Sequence, residues 1–230
     1  NDLEVIGLLV DLNLKTQHIH EALAVLDQIQ VEPTDELNVI RVDLFYQVHG
    51  LVPAKMLLKD LMNEYPENID FLTRMAQFQF ESREYNEAIL TAKEGLRIDP
   101  ERTDLQLLLG RIYHANGQLD KAIDNYSQLI ALSPADILLY LELADIYQER
   151  REDTRALELY REVIRISPDD PKAYYQAAML LKSCKDYDGA ETMLRKAAAL
   201  SPNDVHIHRQ LSGMIAMNLL HSPQEVNRKR

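Results

Sequence analysis

The residues whose types could do chemistry are few, and their spacing works against it. Two H-x-H pairs, His18 with His20 and His206 with His208, place imidazoles two residues apart, and imidazole is a common ligand for transition metals. On a helix, residues two apart point to different faces, so neither pair can chelate as an i, i+4 pair would. The single cysteine, Cys184, has no histidine near it in sequence to act as a base. It reads as a small, half-buried apolar side chain near the end of a helix. There is no Gly-rich phosphate loop, no serine nucleophile elbow and no H-E-x-x-H. These residues therefore imply no enzyme, no cofactor and no bound metal, and direct attention to surfaces.

Composition narrows the partner class. Of 230 residues, 46% are apolar, 27% are charged and 7 are glycine, which suits a folded helical chain with material for a long core. The net charge of -12 argues against sequence-independent binding to nucleic acid or anionic lipid, since both require clustered cations. One cysteine cannot form an internal disulfide, so the compartment stays open, with the cytoplasm favoured. No apolar run approaches the roughly 18 residues of a membrane helix, so no direct membrane insertion is expected of this segment. Residue 1 is Asn rather than Met, which leaves an upstream signal, anchor or further repeats as an expectation.

The elements follow from five prolines, Pro66, Pro100, Pro134, Pro168 and Pro202, spaced at one interval of 34 residues. Each follows an apolar-periodic run and lacks the amide hydrogen a helix interior needs. Full units are predicted at 35–68, 69–102, 103–136, 137–170 and 171–204, all in one continuous domain at 1–204. Residues 1–34 read as a divergent sixth unit, with apolar stretches at Val5 to Leu14 and Ile19 to Ile29 and with Pro33 one place off the register. Residues 205–221 read as a single capping helix carrying Leu211, Met214 and Ile215, and 222–230 as a fraying tail. Within 103–136, Gly117 suits the left-handed residue that ends a first helix, and Thr103 with Gln106 has capping-box spacing. Asp136, Asp170 and Asp204 stand where a carboxylate can accept the first amides of the next helix.

In that register small residues pair at Ala76 with Ala88, Gly110 with Ala122, Ala144 with Ala156 and Ala178 with Ala190, where two helices can approach closely only if both side chains are small. Aromatics recur at Phe45, Tyr113 and Tyr147, and again at Tyr126 and Tyr160. Over nearly the whole chain this pattern resembles the tetratricopeptide repeat (TPR) family. The resemblance implies an all-α fold, a right-handed α-solenoid of antiparallel helix-turn-helix units. Departures occur at Arg41, where a buried Leu is usual, at Val42, where a small residue is usual, and at Gln79, which replaces an aromatic. With Ala92 and Gly95 also small, the space beside Gln79 is expected to be taken by repacking of Phe78 or Phe80, a ligand there being the alternative.

In this family the first helices line a concave face, and ligand contacts resemble the second, fifth, ninth, twelfth and thirteenth places of each unit. Helical geometry agrees, since those offsets lie opposite the inward seventh, eighth and eleventh places. The candidate partner-binding residues are Thr73, Gln77, Phe80, Leu107, Arg111, His114, Leu141, Asp145, Tyr175 and Met179. Glu36, Asp70 and Asp104 make one end acidic, although acids in a first helical turn are favoured by the macrodipole by about 0.3–1 kcal/mol without any ligand. Lys172, Lys182 and Arg209 make the other end mildly basic. Phe80, Leu107, Leu141, Tyr175 and Met179 would form an exposed apolar stripe of the kind that marks protein contacts.

No Lys occupies a fifth place, which holds Val39, Thr73, Leu107, Leu141 and Tyr175; this departs from the carboxylate clamp of the family's chaperone co-factors. Arg111 with His114 could instead hold one carboxylate. The resemblance thus implies a scaffold that binds an extended segment or helix of a partner protein. Two alternatives stand beside it. One is a repeat segment of a larger enzyme or of an envelope, secretion or polysaccharide assembly. The other is homo-oligomerisation through the end helix, where Ile215, Met217, Leu219 and Leu220 are expected to be incompletely covered.

Overall fold

A computed structural model describes residues 2–16, 18–28 and 34–221. Among them it holds thirteen helices and no strand: α1 (Asp2–Lys15), α2 (Ile19–Asp27), α3 (Asp35–His49), α4 (Leu51–Glu64), α5 (Ile69–Glu81), α6 (Tyr85–Ile98), α7 (Thr103–Ala115), α8 (Leu119–Leu132), α9 (Ile137–Glu149), α10 (Asp153–Ile166), α11 (Pro171–Ser183), α12 (Tyr187–Leu200) and α13 (Val205–His221). First helices begin at Asp35, Ile69, Thr103, Ile137, Pro171 and Val205, a constant step of 34 residues. Ile29, Pro33, the side chain of Leu14 and the tail at 222–230 lie outside the described residues.

Side chains specify the turns. Asp136 Oδ1 accepts from the Leu138 amide at 3.0 Å, Asp170 Oδ1 from Lys172 at 2.9 Å, and Asp204 Oδ1 from His206 at 2.8 Å. These bonds satisfy amides that have no partner within the helix. The capping box expected at α7 does not form. Gln106 instead donates to the Pro100 carbonyl at 2.5 Å, and Thr103 donates to the Glu101 carbonyl. Between first and second helices the chain passes through the left-handed region at Arg83 (φ 61), Gly117 (φ 71), Arg151 (φ 61) and Lys185 (φ 64). The same step of 34 therefore recurs in backbone conformation. Outside glycine this conformation costs roughly 1–2 kcal/mol. Here it is over-determined by paired bonds such as Arg151 N to Gln148 O and Glu152 N to Tyr147 O.

The chain divides into two compact units, Asn1–Gln118 and Leu119–Arg230. In the first, Val10, Ala22, Leu23, Leu26, Leu37 and Leu44 join α1, α2 and α3, while Val42, Ala54, Leu58, Phe71, Met75 and Phe78 join α3, α4 and α5. Arg41 compensates for its unusual place by reaching back to Asp27 at 2.8 Å. Gly95 permits the tight seating of α6 on α7, since a Cβ there would lie 2.5 Å from Leu105 Cδ2. In the second unit the buried alanines Ala144, Ala156, Ala178 and Ala190 let α9 to α12 close on Leu157, Tyr160, Leu181 and Leu194. The end helix α13 docks through Ile207 and Met214, and Asn218 Nδ2 donates to the Tyr187 carbonyl at 3.2 Å.

Two expectations need correction. Cys184 is exposed at the C-cap of α11, beyond Leu181, the last buried residue of that helix. The space beside Gln79 is not refilled by Phe78 or Phe80. The Phe78 ring turns to Tyr46, with centroids 5.2 Å apart, and the Phe80 ring to Tyr85 at 6.0 Å. What remains is a cleft of about 680 Å³ between α4 and α6, floored by Leu72, Met75 and Gln79 of α5. Gln79 Oε1 is buried there without a hydrogen-bond partner, an omission that costs roughly 1–3 kcal/mol.

Candidate functional site

In the first unit, the first helices α3, α5 and α7 turn one side toward their second helices and the other outward. Between the outward sides lies a cleft of about 580 Å³ lined by Glu36, Val39 and Ile40 of α3, Asp70, Thr73, Arg74 and Gln77 of α5, and Arg102 and Asp104 at the start of α7. The spacing of 34 residues stacks these side chains from helix to helix.

Two arginines organise the cleft. Arg102 reaches Asp70 Oδ1 at 2.6 Å through a terminal nitrogen and Asp104 Oδ1 at 2.7 Å through Nε, joining the second places of successive repeats. The bonds to Asp104 and Asp70 raise the Arg102 guanidinium further above its ordinary value. Arg74 donates to Gln77 Oε1 at 2.9 Å, pairs with Asp43, and lies 5.7 Å from the Phe78 ring centroid. Burial pushes the Asp43 carboxyl above its ordinary value, although Arg74 pulls the other way. Beside this pair, the Glu81 carboxylate raises the Tyr46 hydroxyl. Of the three acids that predict a negative end, Arg102 takes Asp70 and Asp104, while Glu36 lines the cleft.

Of the candidate residues, Thr73 and Gln77 line this cleft. Thr73 donates its hydroxyl to the Ile69 carbonyl at 2.8 Å. Phe80, Leu107, Arg111 and His114 are half-buried on α5 and α7 and do not line it. Arg111 and His114 are already engaged within the protein, which weakens their expected role as a carboxylate holder. Sequence reasoning missed Arg74, Arg102 and Ile40. The first and last stand at the sixth place and Arg102 at the thirty-fourth, outside the places where the family's ligand contacts fall.

The second unit presents a different surface. Leu141, Tyr175 and Met179 are half-buried and lean on the core around Ala144, Ala177 and Leu181, so the apolar stripe is partly covered. The Tyr175 hydroxyl meets His206 Nε2 at 2.8 Å, and their rings lie 5.4 Å apart. Asp145 is exposed. Burial raises the Tyr160 hydroxyl and the Asp145 charge adds to it, while Gln148 Nε2 donates to that oxygen at 3.1 Å. Lys172 and Arg209 are exposed and Lys182 half-buried on the same first helices. Among the described residues no group of three or more His, Cys, Asp or Glu is arranged to hold a metal ion. Three of the H-x-H histidines are bonded within the chain: His18 to Thr16, His206 to Tyr175 and His208 to the Pro202 carbonyl. No helix among the described residues is long and apolar enough to cross a membrane.

Comparison with known proteins agrees with this architecture. A tetratricopeptide repeat model matches residues 54–112, 80–124 and 154–212, together more than half of the chain, and a TPR repeat model matches 110–150. Among solved structures, MamA aligns at 21% identity with a TM-score of 0.64, covering 72% of this chain and 96% of MamA. The C-terminal part of a TPR repeat-containing protein from Cytophaga hutchinsonii aligns at 15% identity and TM-score 0.76, covering 91% and 87%. YrrB, described as a TPR protein with an unusual peptide-binding site, aligns at 18% identity and TM-score 0.61, covering 76% and 91%. At these identities the likeness shows the fold. No curated protein matches the sequence.

Proposed function

Because the chain belongs to the tetratricopeptide repeat family, we propose that it is a protein-interaction scaffold that takes an extended segment or a helix of a partner protein against the outward sides of its first helices. The observation that carries this reading is the cleft across α3, α5 and α7, where Thr73, Gln77, Arg74 and Arg102 are presented rather than packed away. The peptide-binding description of YrrB supports a peptide as the ligand class. In the first unit a bound segment would exchange water for charge-assisted bonds to Arg74, Arg102 and the free side of Glu36. In the second unit, taken by itself, the surface open to a partner is Leu138, which is 42% exposed, with the uncovered parts of Leu141, Tyr175 and Met179. No catalytic step belongs to the reading.

Affinity capture comparing the wild-type chain with a Thr73→Arg, Gln77→Glu double variant, both changes lying on the cleft wall, tests it. A folded variant should lose partners that the wild type retains; one that keeps every partner would sink the proposal. Homo-oligomerisation through α13 has less support. Of the residues named for it, Ile215 and Met217 are half-buried, Leu219 is exposed, and the side chain of Leu220 lies outside the described residues.

A further inference from the structure

One face of α1 is apolar and bare, and the peptide face on α3, α5 and α7 makes no use of it. Val5, Leu8, Leu9 and Leu12 are 55%, 67%, 44% and 58% exposed. At about 100° per residue these four fall in a single stripe roughly 100° wide, the kind of contiguous apolar surface that marks a contact.

The repeat register tells what such a face receives. A buried pair twelve residues apart closes the hairpins, as at Val42 with Ala54 and Ala178 with Ala190, and Val10 with Ala22 is the same pair in the first hairpin. Counting from Val10 puts Val5, Leu9 and Leu12 at the third, seventh and tenth places of their repeat. The third and tenth places are buried in every later first helix, from Leu37 and Leu44 in α3 to Ile207 and Met214 in α13. In α3, α5 and α13 the residues sharing that core come from the second helix just before: Leu23 and Leu26 of α2, Leu58 of α4, and Leu194 and Ala197 of α12. In α1 the same places face solvent.

We infer that this stripe docks an amphipathic helix of another protein whose apolar seam copies that of the second helices here, an alanine followed four residues later by leucine or tyrosine. Three observations select that occupant. A fully buried alanine opens the seam of all six second helices, from Ala22 in α2 to Ala190 in α12, and five of them carry a large side chain four residues on, such as Leu26, Tyr126 and Leu194. The bare set Val5, Leu9 and Leu12 is near in size and shape to Ile207, Leu211 and Met214, which α12 covers in α13. A second copy of this chain has no such helix to spare, because α2, α4, α6, α8, α10 and α12 each already pack against the first helix that follows.

The test titrates the whole chain, its leucine and valine methyl groups labelled with carbon-13, with an N-acetylated and C-amidated peptide of the α12 sequence, Tyr187–Leu200. Saturable shifts are expected at Val5, Leu8, Leu9 and Leu12 and not at Leu138 or Leu141. The same peptide carrying Leu194→Asp should not bind, and Leu9→Glu in the chain, which sets a charge in the seam, should weaken binding about tenfold or more. Undiminished binding to a folded Leu9→Glu chain, or shifts that avoid α1, would overturn the inference. So would α1 shifts that grow with the concentration of the chain alone, which assign the stripe to a second copy, or α1 methyls already covered in a polypeptide extended before Asn1, which assign it to the same chain. Leu9→Glu should leave partner capture through α3, α5 and α7 unchanged, so the stripe and the peptide face fail independently.

Discussion

The first helices of the two units share one register and one backbone geometry, yet the surfaces they present differ in kind. In the first unit the surface is ionic, with Arg102 between Asp70 and Asp104, Arg74 between Asp43 and Gln77, and a cleft between them. In the second it is apolar at the centre, where Leu141, Tyr175 and Met179 rest on the core, and cationic at the edge through Lys172 and Arg209. A repeat fold fixes where side chains point and leaves open which they are, so one architecture can carry two recognition chemistries. The difference also predicts unequal coupling to stability. Surface residues of the second unit are partly core residues, whereas those of the first are held mainly by one another.

The sharpest way to break the comparison is Tyr175→Ala, which removes a half-buried ring resting on the core. It should cost about 2 kcal/mol, below the 3–5 kcal/mol of a fully buried aromatic, and show as a lower urea midpoint. Next, Arg74→Ala in the first unit should cost about 1 kcal/mol, since the pair it breaks is a quarter to a third exposed and solvent screens it. If the two losses are equal, the asymmetry is wrong. A smaller effect separates the surfaces from the scaffold. Arg83→Gly in one unit and Arg151→Gly in the other should each stabilise by about 0.5–1 kcal/mol through relief of the left-handed residue, and they should match each other. The smallest is a pH slope. Because burial raises the Asp43 carboxyl above 3.8, the folded state holds that proton more tightly than the unfolded chain, and Asp43 costs stability as pH rises through the interval above 3.8. Asp43→Asn should therefore gain stability relative to wild type as pH rises across that interval, measured by urea titration at stepped pH.

Much of the scaffold was legible because its determinants are local. Prolines that cannot continue a helix, small residues where helices touch, and Asp136, Asp170 and Asp204 two places after a proline all act within one repeat. The ionic cleft was not legible, because Arg102 bridges Asp70 and Asp104 across neighbouring helices, and that geometry depends on how the helices stack. The same competition defeated the capping box at α7, where Arg102 occupies the N-cap and Gln106 finds the Pro100 carbonyl instead. Cys184 was misjudged because burial on α11 ends at Leu181, and the residues that follow it to the C-cap turn toward solvent. Gln79 was recognised as a departure, but whether Phe78 or Phe80 would close the gap turned on ring partners, Tyr46 and Tyr85, that spacing alone does not specify.

Hydrogen exchange on the chain, alone and bound to a protein recovered by affinity capture, tests the central claim most directly. Binding against the outward sides of the first helices predicts slowed exchange in α5 and α11, with α6, α10 and α12 unchanged. Slowing confined to the second helices, or none in either α5 or α11, would contradict it.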